Sequence, residues 1–306
     1  MSRPPKSAAS ALPEWSADLK AGDPDRFVLG VLTPPPGRAA VLALYAWNLE
    51  VARCPERTNE PMLGLMRLAW WRDTLERLCA GQPAASGSPL ARALAEAVAR
   101  HDLPFAPFAD ILAARQREVD GLDLPDLAAV EAHVASLNGS LGELAATVLG
   151  IEDGPSRRAV RAAFLAQGLC GVVRALPGHV AEGRPVLPAD RLRALETTPT
   201  RLVSDSGRGA RKVILGDILG LAEDHLAVAR RPGGGSGGGT DGGSGGGSAG
   251  KMAPSARPLL LVNVQTRGYL KALRRSGFDL HDRRVVGPNP RPLGLALAQL
   301  LPGVFG

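Results

Sequence analysis

Between residues 38 and 276, apolar residues recur at three- and four-residue spacing in one segment after another, and no strand-length run alternates cleanly. That period belongs to helices that lay one face on a core, so the chain is expected to close into an all-α bundle. Breakers set the segments apart. Pro34-Pro-Pro-Gly37 precedes a helix expected over 38–53, which Pro55 ends. Pro61 suits a first helical turn and opens a helix to about residue 78, with Asn59 or Glu60 as its cap. Its first half, Met62 to Trp71, is apolar on nearly every face and predicts a central helix, with Trp70 and Trp71 in the core. Further helices are expected over 89–101, 105–119, 127–148, 156–175, 212–230 and 258–276, the fourth of these stopped by Pro177-Gly178.

Residues 232–250 are almost entirely Gly and Ser. Such a run has maximal backbone freedom and nothing to bury. The expected organisation is one domain over 26–306, interrupted by a flexible loop at 232–250 and preceded by a partly disordered tail, 1–25.

Composition excludes several classes of function. Cys54, Cys79 and Cys170 lie far apart with no Cys-x-x-Cys pair, which reads as reduced thiols rather than a zinc site. No run approaches the about 18 to 20 consecutive apolar residues of a membrane span, and the start lacks the apolar core of a secretory signal. A cytoplasmic location is expected, with peripheral attachment to the inner membrane as its variant. The formal charge is +6, nearly all of the basic side being arginine. An anionic membrane surface would attract such a protein, although a GC-rich genome produces the same Ala and Arg excess. No basic run interleaved with aromatics points to nucleic acid.

Four segments carry a family likeness: Leu44-Tyr-Ala-Trp-Asn-Leu-Glu-Val-Ala-Arg-Cys54, Gly64-Leu-Met-Arg-Leu-Ala-Trp-Trp71, Ala166-Gln-Gly-Leu-Cys-Gly-Val-Val-Arg-Ala-Leu-Pro177 and Gly183-Arg-Pro-Val-Leu-Pro188. Together they resemble the squalene/phytoene synthase family, whose enzymes join prenyl diphosphates head to head at a Mg²⁺ site. The resemblance implies a class I isoprenoid (terpenoid) synthase-like bundle. It also implies a pocket or phosphate contacts at Tyr45, Trp47, Asn48, Arg67, Trp71, Gln167, Arg174 and Arg184.

What the family's metal site needs is missing. Carboxylates one turn apart on a helix point the same way and can share Mg²⁺ ions. Aligned on Tyr45, the first aspartate-rich motif falls at Ala52, Arg53 and Glu56; the second falls between Ala175 and His179, with no Asp or Glu from Gly168 to Ala181. Ala52 offers no oxygen. Arg53 puts a cation where cations should bind, at a cost of roughly 3 kcal/mol per unit charge ~5 Å away at an effective dielectric of 20, and about twice that for a divalent ion.

The substitutions narrow the likeness. Asn48-Leu-Glu-Val-Ala52, the Gln167-Gly168 helix and Arg174-Ala-Leu-Pro177 resemble the branch that includes the mitochondrial complex I assembly factor 6 proteins. The Gly-rich insertion and His133, where the family often has Tyr, are departures. This branch implies a non-catalytic protein that assists assembly of respiratory complex I (NADH:quinone oxidoreductase), with complex I subunits or assembly intermediates as partners and no cofactor. Two alternatives stand beside it. An active head-to-head prenyltransferase would need Glu50, Glu60 or Asp120 to rebuild a Mg²⁺ site. A lipid-binding protein would hold a prenyl tail in the cavity without reaction.

Overall fold

A computed structural model describes residues 13–54, 61–83, 88–230, 252–287 and Gly294. Helices α1 (Trp15–Gly22), α2 (Pro24–Leu32) and α3 (Arg38–Ala52) lead into α4 (Pro61–Cys79), α5 (Pro89–His101) and α6 (Phe105–Asp120). Then come α7 (Leu127–Val134), a π turn (Ala135–Gly139), α8 (Ser140–Val148) and the long α9 (Gly154–Ala181). The remainder is α10 (Ala189–Ala194), α11 (Pro199–Val203), α12 (Arg208–Arg230), α13 (Arg257–Leu260), α14 (Val262–Arg275) and α15 (Arg283–Val286). Among the described residues there is no strand.

Local chemistry sets the helix starts. Asp23, Ser88, Asp126 and Asp153 each accept a hydrogen bond from the backbone N–H three residues on, and Pro stands in the first turn of α2, α5 and α9. These side chains satisfy amides that the helix itself leaves unpaired, each contributing about 1 kcal/mol.

The core divides into two clusters that share α9. The first gathers Tyr45, Trp47, Trp71, Phe108 and Phe164. Trp47 is fully buried and meets Trp71 and Phe108 edge-on, with ring centroids at 6.5 and 5.0 Å. Such pairs contribute about 1 kcal/mol each beyond burial. The second cluster is largely aliphatic and joins α9 to α12 and α14 through Val173, Leu176, Ile218, Leu219 and Leu273. Residues on both sides of the Gly/Ser run therefore pack against one central helix; the run itself, 232–250, lies outside the described residues.

Four expectations need revision. α4 is peripheral: Leu68, Trp71, Leu75 and Leu78 face inward, but Met62, Leu63, Met66 and Trp70 are 65, 46, 61 and 39 % exposed. Only its inner side packs on α5 and α6, so an all-round apolar sequence did not mean all-round burial. Pro177 does not stop α9. Its missing N–H removes one helical bond, but the buried Leu176 holds the turn in the core, and the helix ends only before Gly183, at φ +71°. The helix expected over 127–148 forms, but with the five-residue π turn inside it. Upstream of Arg26, where a tail was expected, the chain forms α1 and buries Leu19 completely.

α9 is also long and apolar enough by length and mean hydropathy to cross a membrane, although no consecutive apolar run in it reaches that length. About 67 % of its apolar window is buried within the bundle, as in the core helix of a globular protein. The expected cap residues Asn59 and Glu60 lie outside the described residues.

Candidate functional site

A cavity of about 420 Å³ opens where α2, α3, α6, the π turn, α9 and α14 converge. The π turn supplies Leu137 and Asn138 to its wall, and π turns inside helices often mark functional sites. Gly168 lets α9 approach this turn: a Cβ there would sit 2.5 Å from Asn138 Cγ and from Val134 Cγ1.

Charge around the cavity comes in matched pairs. Asp23 caps α2 and holds Arg26, Nη1 to Oδ2 at 2.8 Å. Glu118 on α6 receives Arg115 at 2.8 Å and His133 Nε2 at 2.9 Å. Burial alone would raise the Glu118 pKa; the Arg115 charge and the hydrogen bonds from His133 and Arg115 outweigh it and hold the carboxyl at about 2. Asp25 lies 3.5 Å from Arg174 Nη1 and accepts from the Tyr269 hydroxyl at 2.6 Å.

Arg174 is the most heavily committed of these cations. Its Nε donates to Val285 O at 2.8 Å and its Nη2 to Gly287 O at 3.3 Å, while the guanidinium stacks 3.5 Å from the centroid of the Tyr269 ring. Burial keeps the Tyr269 phenol protonated far above its usual range, with the Asp25 carboxylate adding to the effect and Arg174 opposing it. The planar fork thus binds α15 and Gly287 to α9, using cation–π and charge-assisted contacts together.

Several buried polar atoms at the cavity have no hydrogen-bond partner among the described residues: Gln167 Oε1, His133 Nδ1 and His179 Nδ1. His133 faces the Glu118 carboxylate through Nε2, which leaves Nδ1 as the ring nitrogen without a partner. Burial, aided by Arg184 and Arg115, lowers the pKa of His179 and favours its neutral ring. Burial pushes the Cys170 thiol up to about 12, so it is no thiolate nucleophile at neutral pH. The cavity can hold a polar head among apolar walls such as Leu49, Val134 and Val172.

The structure brings together Asn48, Ala52, Gln167, Arg174, Ala175 and His179, all of which line this cavity. Tyr45, Trp47 and Trp71 are instead buried in the aromatic core, and Trp71 Nε1 donates to Glu50 Oε1 at 3.2 Å. The Arg53 guanidinium fills the space that a Cβ on Gly22 would need. Arg67 is exposed on α4, and Arg184 pairs with Glu182. Asp120 is exposed at the end of α6; Glu56 and Glu60 lie outside the described residues. Sequence reasoning missed Asp23, Asp25, Arg26, Arg115, Glu118 and Tyr269 as cavity residues. Asp23-Pro-Asp-Arg26 carried a detectable capping signal, whereas Arg115 and Glu118 carried none.

Comparison with known proteins follows the same lines. The model of the Squalene/phytoene synthase family matches residues 19–291. The human "NADH dehydrogenase (ubiquinone) complex I, assembly factor 6" is 28% identical over 282 residues, covering 90% of this chain and 79% of that protein. The Drosophila melanogaster homolog of that factor is 25% identical, covering 87% and 76%. Chloroplastic phytoene synthase 1 of Arabidopsis thaliana is 27% identical over 54% of this chain and 40% of its own length. A dehydrosqualene synthase crystallised with a ligand superposes with a TM-score of 0.75 at 16% identity, covering 94% of both chains. Squalene synthase HpnC from Alicyclobacillus acidocaldarius gives 0.65 at 20% identity, covering 86% and 93%. The fold is the helical bundle of the isoprenoid synthases.

Proposed function

The chain belongs to the squalene/phytoene synthase family, and we propose that it is a non-catalytic member that assists assembly of respiratory complex I at the inner membrane. The observation that carries this reading is the state of the cavity's carboxylates. Asp23, Asp25 and Glu118 each already hold a guanidinium, an imidazole or a phenol, and the aspartate-motif positions at the cavity are Ala52, Ala175 and His179. Among the described residues, no group of three or more Asp, Glu, His or Cys is placed to hold a metal. This donor set does not fit the Mg²⁺ cluster that ionises a diphosphate, so no ionisation step is derived through it. Similarity over most of its length to proteins named complex I assembly factor 6 supports the biological side, with complex I subunits or assembly intermediates as partners.

A second reading of the same cavity accompanies the first: it binds a prenyl lipid without reacting. The unpartnered Gln167 Oε1 and His133 Nδ1 favour this, because a ligand hydroxyl, which both donates and accepts, would satisfy either.

The test is pyrophosphate release from farnesyl and geranylgeranyl diphosphate, with Mg²⁺ or Mn²⁺ and with or without NADPH. Turnover is expected to stay at the level of a Trp47→Ala, Arg174→Ala control. Turnover well above that control would restore a head-to-head prenyltransferase. Deleting the gene is expected to lower NADH:quinone oxidoreductase activity, and unchanged activity would sink the assembly role. Installing Ala52→Asp, Arg53→Asp and Ala175→Asp should create Mg²⁺-dependent diphosphate binding if the cavity descends from a metal site.

A further inference from the structure

Away from the cavity, unneutralised charge collects in a groove of about 490 Å³ between α12 and α14. Arg230 closes α12, while Arg267, Lys271, Arg274 and Arg275 come from α14; Glu223 is the sole carboxylate lining the groove among the described residues. Glu223 is taken by Arg274, with contacts of 3.0 and 2.7 Å. Arg230, Arg267, Lys271 and Arg275 have no carboxylate partner among the described residues. The chain that follows α12, residues 231–251, contains a single acid, Asp241.

Arg267, Lys271 and Arg275 stand at i, i+4 and i+8 and so form a cationic row about 12 Å long on one helix face. Like charges at this spacing destabilise a helix by about 0.2–0.5 kcal/mol per pair. Arg267 adds a further cost, because its Nε and Nη2 are buried without a hydrogen-bond partner among the described residues. Burial and the neighbouring Arg230 both lower its pKa. Beneath this row lie Leu226 and Leu270, only 3 and 5 % exposed. An apolar floor edged by guanidinium and ammonium groups matches an amphiphile with a phosphate head. Phosphate oxygens also suit the unused N–H fork of Arg267.

We propose that the α12/α14 groove seats the phosphate headgroups of anionic phospholipid and holds the protein against a negatively charged membrane surface. The groove supplies the surface for the peripheral membrane contact, and it stands or falls separately from the role of the cavity.

The experiment is co-sedimentation of the full chain with phosphatidylcholine vesicles, with and without phosphatidylglycerol. Wild-type protein should bind only the anionic vesicles, and binding should weaken with salt. A cation near such a surface contributes about 1 kcal/mol, or about fivefold in partitioning. Lys271→Gln/Arg275→Gln removes exposed side chains and should lower binding about 25-fold. The matched pair Arg77→Gln/Arg117→Gln, exposed on α4 and α6, should lower it only a few-fold at equal net charge. Equal losses in the two pairs would overturn the proposal in favour of undirected charge attraction. Failure of wild-type protein to bind anionic vesicles would overturn it in favour of an acidic protein partner. Full displacement from vesicles by inorganic phosphate at matched ionic strength would reassign the groove to a soluble phosphate.

Discussion

Arginine crowds into two regions of this molecule and is treated differently in each. Around the cavity, Arg26, Arg115 and Arg174 meet Asp23, Glu118 and Asp25 in turn. In the α12/α14 groove, among the described residues, only Arg274 has such a partner. The formal charge of +6 is therefore not an even coating: part of the arginine content is internal scaffolding, and part is surplus collected on one face. Removing a carboxylate should be costly in the first region and nearly silent in the second.

Glu118→Ala should have the largest effect, because it strands Arg115 and His133 in the interior. Breaking a buried pair from one side costs about 3 kcal/mol, read as a fall in the thermal midpoint of about 8 °C. The same pair predicts an acid transition. The Glu118 carboxyl titrates at about 2 in the folded protein against an ordinary value of 4.5. A depressed folded-state pKa contributes stability that is complete above the unfolded value and disappears as pH falls toward the folded one. Stability should drop between about pH 4.5 and pH 2, and thermal melts of Glu118→Gln should lose much of that slope.

Arg174→Met comes next, at about 2 kcal/mol by denaturant unfolding, since it removes the cation beside Asp25 and the guanidinium hydrogen bonds to the carbonyls of Val285 and Gly287. Glu223→Gln in the groove should change stability by less than about 0.5 kcal/mol, because both partners are exposed. It should also strengthen anionic vesicle binding. A cost comparable to that of Glu118→Ala would erase the distinction between the two regions.

How much of this was legible in the sequence depended on the range of the interaction. Helix starts fixed by a residue and its neighbour three positions on, such as Asp126 with Ala129, are local and could be read. The likeness carried by Tyr45 through Ala52 and by Gln167 through Arg174 pointed to the right bundle; of those residues Asn48, Ala52, Gln167 and Arg174 line one cavity, whereas Tyr45 and Trp47 are core. The Asp25–Tyr269 contact spans 244 positions, and no local pattern encodes it. Nor does residue type distinguish Arg115, which is paired, from Arg275, which has no carboxylate partner among the described residues. α4 failed for a related reason: hydropathy tells what could be buried, whereas the number of neighbouring helices decides how much of it is.

The Arg174 clamp grips main-chain oxygens at Val285 and Gly287, and every amino acid carries that oxygen. Side-chain identity at these positions therefore matters for packing rather than for the clamp: Val285 is fully buried, and a Cβ on Gly287 would sit 2.9 Å from Arg283 O. A nonsense codon a few triplets earlier would remove both acceptors at once. In this corner of the molecule the clamp depends on the main chain reaching Gly287, while residue identity answers to packing.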